Sequence, residues 1–572
     1  MSNTPKFKVL LDEYYTKEKP GERICAETGT KFVVSQREFD LYKSLDMPLP
    51  MVAPWVRFRR LRSFMAGFDL FKRQTDSGEL LISMYDPESP AKLWPNKEWF
   101  SDKFVATDYA RDCDTSRSFF DQYKEFSWNI PRPAINQDPN SENSAWALYD
   151  LQSRDCYFVY GGLNSQGLNY SDFCADAKYS TDCTALVNSE WCYEAVQCTD
   201  SSHIFYSERC EACLEMYFSY QCESCSYCFG CTNLVHKKYC WFNEQLTEGE
   251  YKKRLAAVDF KDSRVVHEWE KKAHEFWEKA YHLAGQCYTS EDVVGDQLGS
   301  SRDVFGGYAY NAQHSYNVFD VSHLRDCLDV TTSSGSERLV NCVSIVPSYD
   351  LKMCLSCSNC LDVEYSEFCY SSEHCFGCVG LRHKKFHIFN KEYSEEEYWR
   401  KVDEIKCTML KSGVYGNFFP YSLSFFAYNT THANVLYPLN EGEIKKLGMC
   451  YYDFAVEKNE VGADVSEIPE KLDEVRDNII QKVFKSRING RAFRIAKPEL
   501  DFHRQMGLAL PHEHPIVRRT RRSDAFRSFS LYPNVCSNCQ KRIWSRLQPG
   551  RQLKLVCEDC YRKLVYAGSE AV

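Results

Sequence analysis

The 572-residue sequence predicts a mainly β protein with some α, built from two β-solenoid blocks with Cys/Ser lumens and flanked by zinc-ribbon-like terminal modules. Three observations predict it: cysteines placed at a three-residue period, a duplicated segment that ends each periodic block, and two CxxC pairs at the C-terminal end.

The period comes first. Cysteines 156, 174, 183, 192, 198, 210, 213, 222, 225, 228, 231 and 240 are all multiples of three. Between them the same phase holds Ser, Ala, Gly, Leu, Ile, Val and Met, and its one charged residue is Lys237. The phase returns at cysteines 327, 342, 354, 357, 360, 369, 375 and 378. A helical repeat of 3.6 would smear this row around all sides, and a strand repeat of 2 would put alternate members on opposite faces. A chain with short three-residue sides keeps one small residue pointing inward from each side, so the pattern predicts narrow solenoids, with twelve-residue coils as one option.

Both blocks end alike. Residues 228–251 ("CFGCTNLVHKKYCWFNEQLTEGEY") align without gaps to 375–398 ("CFGCVGLRHKKFHIFNKEYSEEEY"), with 13 identities in 24 positions. Thr247 with Glu250, and Ser394 with Glu397, then read as capping boxes that start helices. A further helix is predicted from about Val265 to Leu283, with Trp269, Phe276 and Trp277 bracketing the solenoids.

Metal ligands follow from spacing. Cys536-x2-Cys539-x17-Cys557-x2-Cys560 presents four thiolates from two knuckles, the pattern of a closed structural zinc site. Two further sets lie at the block ends: Cys228, Cys231, His236 and Cys240, and Cys375, Cys378, His383 and His387. The exchange of Cys240 for His387 preserves a zinc ligand, yet the cysteines of both sets also fit the inward row, so core packing is the competing reading. An iron–sulfur reading of Cys222 to Cys231 lacks the final x3 gap and the proline.

A second repeat joins the ends of the chain: residues 29–60 align to 490–521, sharing Glu38/Glu499, Pro54/Pro515 and Arg57/Arg518 among others. Cys25 opens the first copy, but the other ligand positions hold Thr28, Ala53 and Val56, and in the second copy Ser486, Asn489, His514 and Val517. These read as metal-free relatives of a ribbon, held by apolar residues. Basic residues follow each copy: Arg57, Arg59, Arg60 and Arg62, then Arg518, Arg519, Arg521 and Arg522, with Lys541, Arg542, Arg546, Arg551 and Lys554 between the zinc knuckles. Residues 515–563 carry a net +9 within a chain of net charge −10, a distribution that suits phosphate contacts.

The expected order is a degenerate ribbon-like module (1–62), an aromatic-rich connection (63–150), a first solenoid (151–243), a helical insert (244–299) and a second solenoid (300–390). A helix and connection (391–485), a second degenerate module (486–526) and the four-cysteine ribbon (527–572) complete it. No apolar run approaches a membrane span and the first residues lack a signal-type h-region, so a cytoplasmic protein is expected, its 29 cysteines reduced.

Several segments together resemble a functionally uncharacterised group, the large cysteine-rich zinc-ribbon proteins of ultrasmall candidate-phylum bacteria. They include "FDLYKSLDMPLP", "LLISMYDPESP", "WFSDKF", "SRSFFDQYKEF", "NSENSAW", the "CFGC…HKK…FN" ends, "YGNFFPYSLSFFAYN" and the closing "CSNC…VCEDCYRKLVY". The resemblance implies ribbon-like ends around a cysteine-repeat middle and supplies no reaction. Members usually carry further CxxC pairs near the N-terminus, where this chain keeps Cys25.

No phosphate-cradling Gly-rich loop, HExxH or G-x-S-x-G occurs, and Asp108, Asp112 and Asp114 beside Cys113 read as a polar loop. The leading expectation is a non-enzymatic zinc-binding scaffold presenting solenoid surfaces to a protein partner. The alternative is nucleic-acid binding through the basic C-terminal ribbon. An enzyme has the least support.

Overall fold

The computed structural model describes residues 3–75, 78–138, 140–285, 361–454, 461–526, 532–547, 550 and 552–566, with backbone alone for residues 524–526 and for short strands between 287 and 318. The chain is mixed α/β with small sheets, rather than mainly β. It divides into two compact units, each discontinuous in sequence. One comprises Met1–Ala134, Gly285–Tyr452 and Phe529–Leu531; the other comprises Ile135–Ala284, Asp453–Ser528 and Tyr532–Val572. The expected serial modules are therefore regrouped, each unit containing one block end and one copy of the terminal repeat. Most of the second periodic block, including its cysteines 327 to 360, lies outside the described residues.

In the second unit, parallel bridges join residues twelve apart from Glu142↔Arg154 to Glu223↔Val235. Two hydrogen-bond series hold each rung to the next. Ala145 N–H donates to Cys156 O at 2.9 Å and Leu148 N–H to Val159 O at 2.8 Å; Phe158 N–H donates to Ala145 O at 2.9 Å. Every third residue turns the chain with a φ near +50°, as at Trp146, Tyr149, Gln152 and Asp155. That left-handed region is least tolerant of β-branched side chains. None of the turning residues from Asn143 to Phe242 is Val, Ile or Thr, whereas the bridging row beside them holds Val187, Val196, Val235, Thr181, Thr184 and Thr199.

The inward row is a dry core of Cys, Ala, Leu, Ile and Met with Ser interspersed, each essentially inaccessible to solvent. Its chemistry explains the choice of Cys and Ser. Each side chain donates to the carbonyl two residues back: Ser171 Oγ to Asn169 O at 2.9 Å, Cys183 Sγ to Thr181 O at 3.3 Å. The serines also accept the inward N–H one rung later, as in Cys183 N–H to Ser171 Oγ at 3.1 Å and Cys213 N–H to Ser201 Oγ at 3.0 Å. Buried N–H groups without such acceptors are costly.

The duplicated segment is how a stack of rungs stops. Asn243 accepts from Thr232 N–H and donates to Thr232 O, both at 2.9 Å, replacing the next rung with its own amide. Asn390 does the same to Val379, at 2.9 and 2.8 Å. The last strand then folds back antiparallel, Lys238–Trp241 on Glu244–Gln245 and Lys385–Ile388 on Lys391–Glu392. Helices follow at Glu248–Ala256, with the full Thr247/Glu250 capping box, and at Glu395–Lys411, where Ser394 accepts from Glu397 N–H.

Outer carboxylates of the rungs anchor the packed elements. In the first unit Glu367 binds Arg132 at 2.5 Å and Tyr123 Oη at 2.6 Å, while Glu364 binds Lys406 and, at 3.0 Å, Tyr415 Oη; all are buried. In the second unit the bracketing helix spans Ser263–Trp277, shorter than expected, and Trp277 Nε1 donates to Phe218 O at 3.1 Å. Tyr281–Leu283, expected to be helical, instead pairs in parallel with Lys554–Val556 of the ribbon. Leu283 there joins Val556 and Tyr561 in one apolar cluster, an arrangement that a continued helix could not reach.

Hydroxyl and thiol make the same lumen hydrogen bond, so Cys183→Ser should shift the urea midpoint little. Cys183→Leu should cost about 1–3 kcal/mol by overpacking a fully buried row.

Candidate metal centre

Three segments of the chain form the same turn. Cys25 N–H donates to Thr30 O at 2.8 Å and Gly29 N–H returns to Cys25 O at 2.9 Å. Ser486 with Arg491 and Gly490 repeats this at 2.9 and 3.0 Å, and Cys536 with Lys541 and Gln540 at 2.9 and 3.0 Å. The fifth residue of each turn is left-handed: Gly29, Gly490 and Gln540, at φ 68°, 70° and 61°. Short antiparallel pairs flank them, Gly21–Ile24 with Lys31–Val34, Phe484–Lys485 with Ala492–Phe493, and Tyr532–Val535 with Arg542–Ser545. In the first copy Ala53 N–H points at Cys25 Sγ (3.4 Å), as Cys557 N–H points at Cys536 Sγ (3.4 Å). The knuckle fold thus survives where the other ligands are gone.

The third copy keeps all four. The sulfurs of Cys536, Cys539, Cys557 and Cys560 lie within 4.8 Å of one another, and among the described residues no other group of three or more Cys, His, Asp or Glu does so. Cys539 and Cys557 sulfurs are 3.7 Å apart. Thiolates about 2.3 Å from a central ion in a tetrahedron have edges of about 3.8 Å, so the donor set fits one metal ion with no open position. Burial pushes the Cys536 thiol up, but the N–H groups of Cys539, Cys557 and Asn538 outweigh it and lower it to about 6. Asn538 Nδ2 also donates to Cys560 Sγ at 3.2 Å. The ribbon packs on the rungs through Val235, and Asn233 Nδ2 donates to Tyr561 Oη at 3.1 Å.

The block-end sets do not assemble. Cys228, Cys231 and Cys240 are buried in the inward row, while His236 occupies an exposed turning position. In the second set Cys375, Cys378 and His387 are buried and His383 is an exposed turning residue. The Cys-to-His exchange conserves something else: Cys240 Sγ bonds Lys238 O at 3.8 Å, and His387 Nδ1 bonds the equivalent Lys385 O at 2.6 Å.

The arginine clusters also face inward, against the expectation of phosphate contacts. Arg518 pairs with Asp182 at 3.3 Å and Glu499 at 2.7 Å; Arg519 with Asp172 at 2.6 Å; Arg522 with Asp182 at 2.9 Å and Glu194 at 3.4 Å. These three are buried; Arg521 is half exposed and bound to Glu194 and Glu513. The first copy repeats the aligned pair as Glu38 with Arg57, 3.4 Å, and Glu27 holds both Arg59 and Arg60. So buried ion pairs, in addition to apolar residues, hold the degenerate modules. Arg546 is buried, and Arg542 with Lys541 and Lys554 is exposed. Sequence periodicity gave no sign of this, because the rung partners lie more than 300 residues away. Near the other candidate cluster, Asp112 is tied to Lys391 (2.7 Å) and Tyr393, and burial pushes the Cys113 thiol up to about 11, unsuited to nucleophilic work.

Asp182→Ala leaves Arg518 and Arg522 buried with a carboxylate removed, and should cost about 3–5 kcal/mol in urea unfolding. Arg521→Ala, at a half-exposed pair, should cost about 1 kcal/mol or less. Burial and then the Arg518 cation lower His503 to about 4, against an ordinary value of about 6.5. Its contribution is present above pH 6.5 and lost as pH falls toward 4, so wild type should lose stability relative to His503→Gln across that window. Comparisons with protein-family models, curated proteins and solved structures find no match.

Proposed function

We propose that the protein is a non-enzymatic, zinc-binding scaffold in which the twelve-residue rungs constitute a β-solenoid whose outer surface receives a protein partner. The carrying observation is one edge of the rung stack. Gln152, Asn164, Asp176, Asn188 and Asp200 stand twelve residues apart and are all exposed, with Asn164 to Asp176 at 2.5 Å and Asn188 to Asp200 at 2.6 Å. Repeated at the strand spacing of about 4.8 Å, such a row offers an extended, uncharged-to-acidic array. The four-thiolate set favours zinc, since soft, closed tetrahedral sites are characteristic of it. No helix among the described residues is long and apolar enough to cross a membrane, and the described cysteines form no disulfide with one another; a cytoplasmic location is part of the same proposal. Kinship with the cysteine-rich zinc-ribbon group belongs to the same reading.

The nucleic-acid alternative retains Lys541, Arg542 and Lys554, because Arg518, Arg519 and Arg522 are committed to buried carboxylates.

Protein purified without added metal should contain one zinc per chain; iron, or three metals, would overturn the metal assignment. In-cell crosslinking should capture a partner that the variant Asn164→Ala/Asp176→Ala/Asn188→Ala/Asp200→Ala loses while its thermal midpoint is kept, and unchanged capture would reject the surface. Polyanion binding should be weak and shallow in its salt dependence; a steep slope abolished by Arg542→Ala would favour the alternative.

A further inference from the structure

The second unit contains a cleft of about 890 Å³ between the Ser263–Trp277 helix, the rungs at Tyr193 and Tyr206, and the strap at 509–513. That volume lies in the range of small-molecule sites. Its inner lining is apolar: Tyr193 and Tyr206, 3% and 8% exposed, with Val266 and Leu510. Carboxylates Glu194, Glu270 and Glu513 stand around that floor.

Three arginines of the cleft already hold carboxylates, Arg521 within the cleft itself. Arg518 is held by Asp182 and Glu499, Arg521 by Glu194 and Glu513, and Arg264 by Asp262. Glu270 is different. Half-buried, it has no Lys or Arg within ion-pair distance among the described residues, and its nearest cationic candidate is His267 Nδ1 at 3.9 Å. Burial, and then the neighbouring Glu194, raise its carboxyl to about 7 against the opposing pull of the Arg521 guanidinium, which stands beyond ion-pair distance. A metal is not the natural complement, because no three ligating atoms here come within 4.8 Å of one another among the described residues. A carboxylate above an aromatic and aliphatic floor suits a cation with an apolar stem.

We propose that this cleft binds small primary alkylamines, the ammonium on Glu270 and the alkyl chain along Tyr193, Tyr206 and Leu510. Lys271, exposed at the rim, and the carboxylates Glu275 and Glu278 of the same helix leave the entrance acidic on balance.

The test is calorimetric titration of the full chain at pH 8 with pentylamine, and with pentanoate as a five-carbon chain of opposite charge. Pentylamine should bind saturably and pentanoate should not. Glu270→Gln should weaken pentylamine at least tenfold while leaving the thermal midpoint unchanged or higher. No pentylamine binding by wild type, equal or tighter pentanoate binding, or full affinity in Glu270→Gln would each overturn the proposal. If Glu270→Gln lowers the midpoint, Glu270→Asp is titrated instead. It keeps the charge but withdraws it, and should weaken binding severalfold; unaltered affinity there overturns the proposal too.

Discussion

The inward-facing N–H groups of the rungs are the constraint on which the rest of this structure depends. A chain that turns every third residue sends one backbone donor per side into a space too narrow for any strand or solvent to meet it. Serine twelve residues earlier meets it directly, as Ser171 does for Cys183 and Ser207 for Ser219. Cysteine fills the same volume, ties itself to the carbonyl two residues back, and can accept weakly, as Cys231 does from Asn243. Thiols are therefore building material here. Burial pushes Cys174 and Cys156 up to about 12, which removes at those positions the thiolate on which reactivity or metal capture depends.

From that constraint the terminator follows. A stack of rungs ends with an unpaired backbone edge, which would otherwise invite pairing with another chain. The asparagine amide of Asn243 or Asn390 supplies one donor and one acceptor in the geometry of a peptide group, and the reversed strand covers what remains. Both units use this device, and both fasten neighbouring elements to buried rung carboxylates: Glu364 and Glu367 in one, Asp172 and Asp182 in the other. Burying charge is favourable only when it is paired, so each carboxylate fixes where its arginine or lysine can sit, and hence the register of the packed helix.

The same turn recurs in three modules of different side-chain content. The turn at Cys25 and at Ser486 is closed by the same backbone bonds as at Cys536, and a buried Glu–Arg pair stands in both degenerate copies. The third copy carries four thiols where the first has Cys25 alone, and it pairs edge to edge with Tyr281–Leu283 and packs on Val235. An ion there would hold the last sheet against the last rungs.

The sequence by itself determined the inward row, the repeated ends, the helix starts at Thr247 and Ser394, and the four-cysteine group Cys536, Cys539, Cys557 and Cys560, because each is a local pattern written in spacing. The absence of Val, Ile and Thr from the turning row acquires its reason, left-handed backbone sterics, only from the structure. Tertiary structure alone decided the rest. It separated His236 and His383 from the cysteines beside them, since alternate phases of a three-residue repeat point in opposite directions. It turned Arg518, Arg519 and Arg522 from candidate phosphate contacts into buried ion pairs, because their partners come from rungs hundreds of residues earlier. Charge is a property of composition; whether that charge faces water is a property of packing.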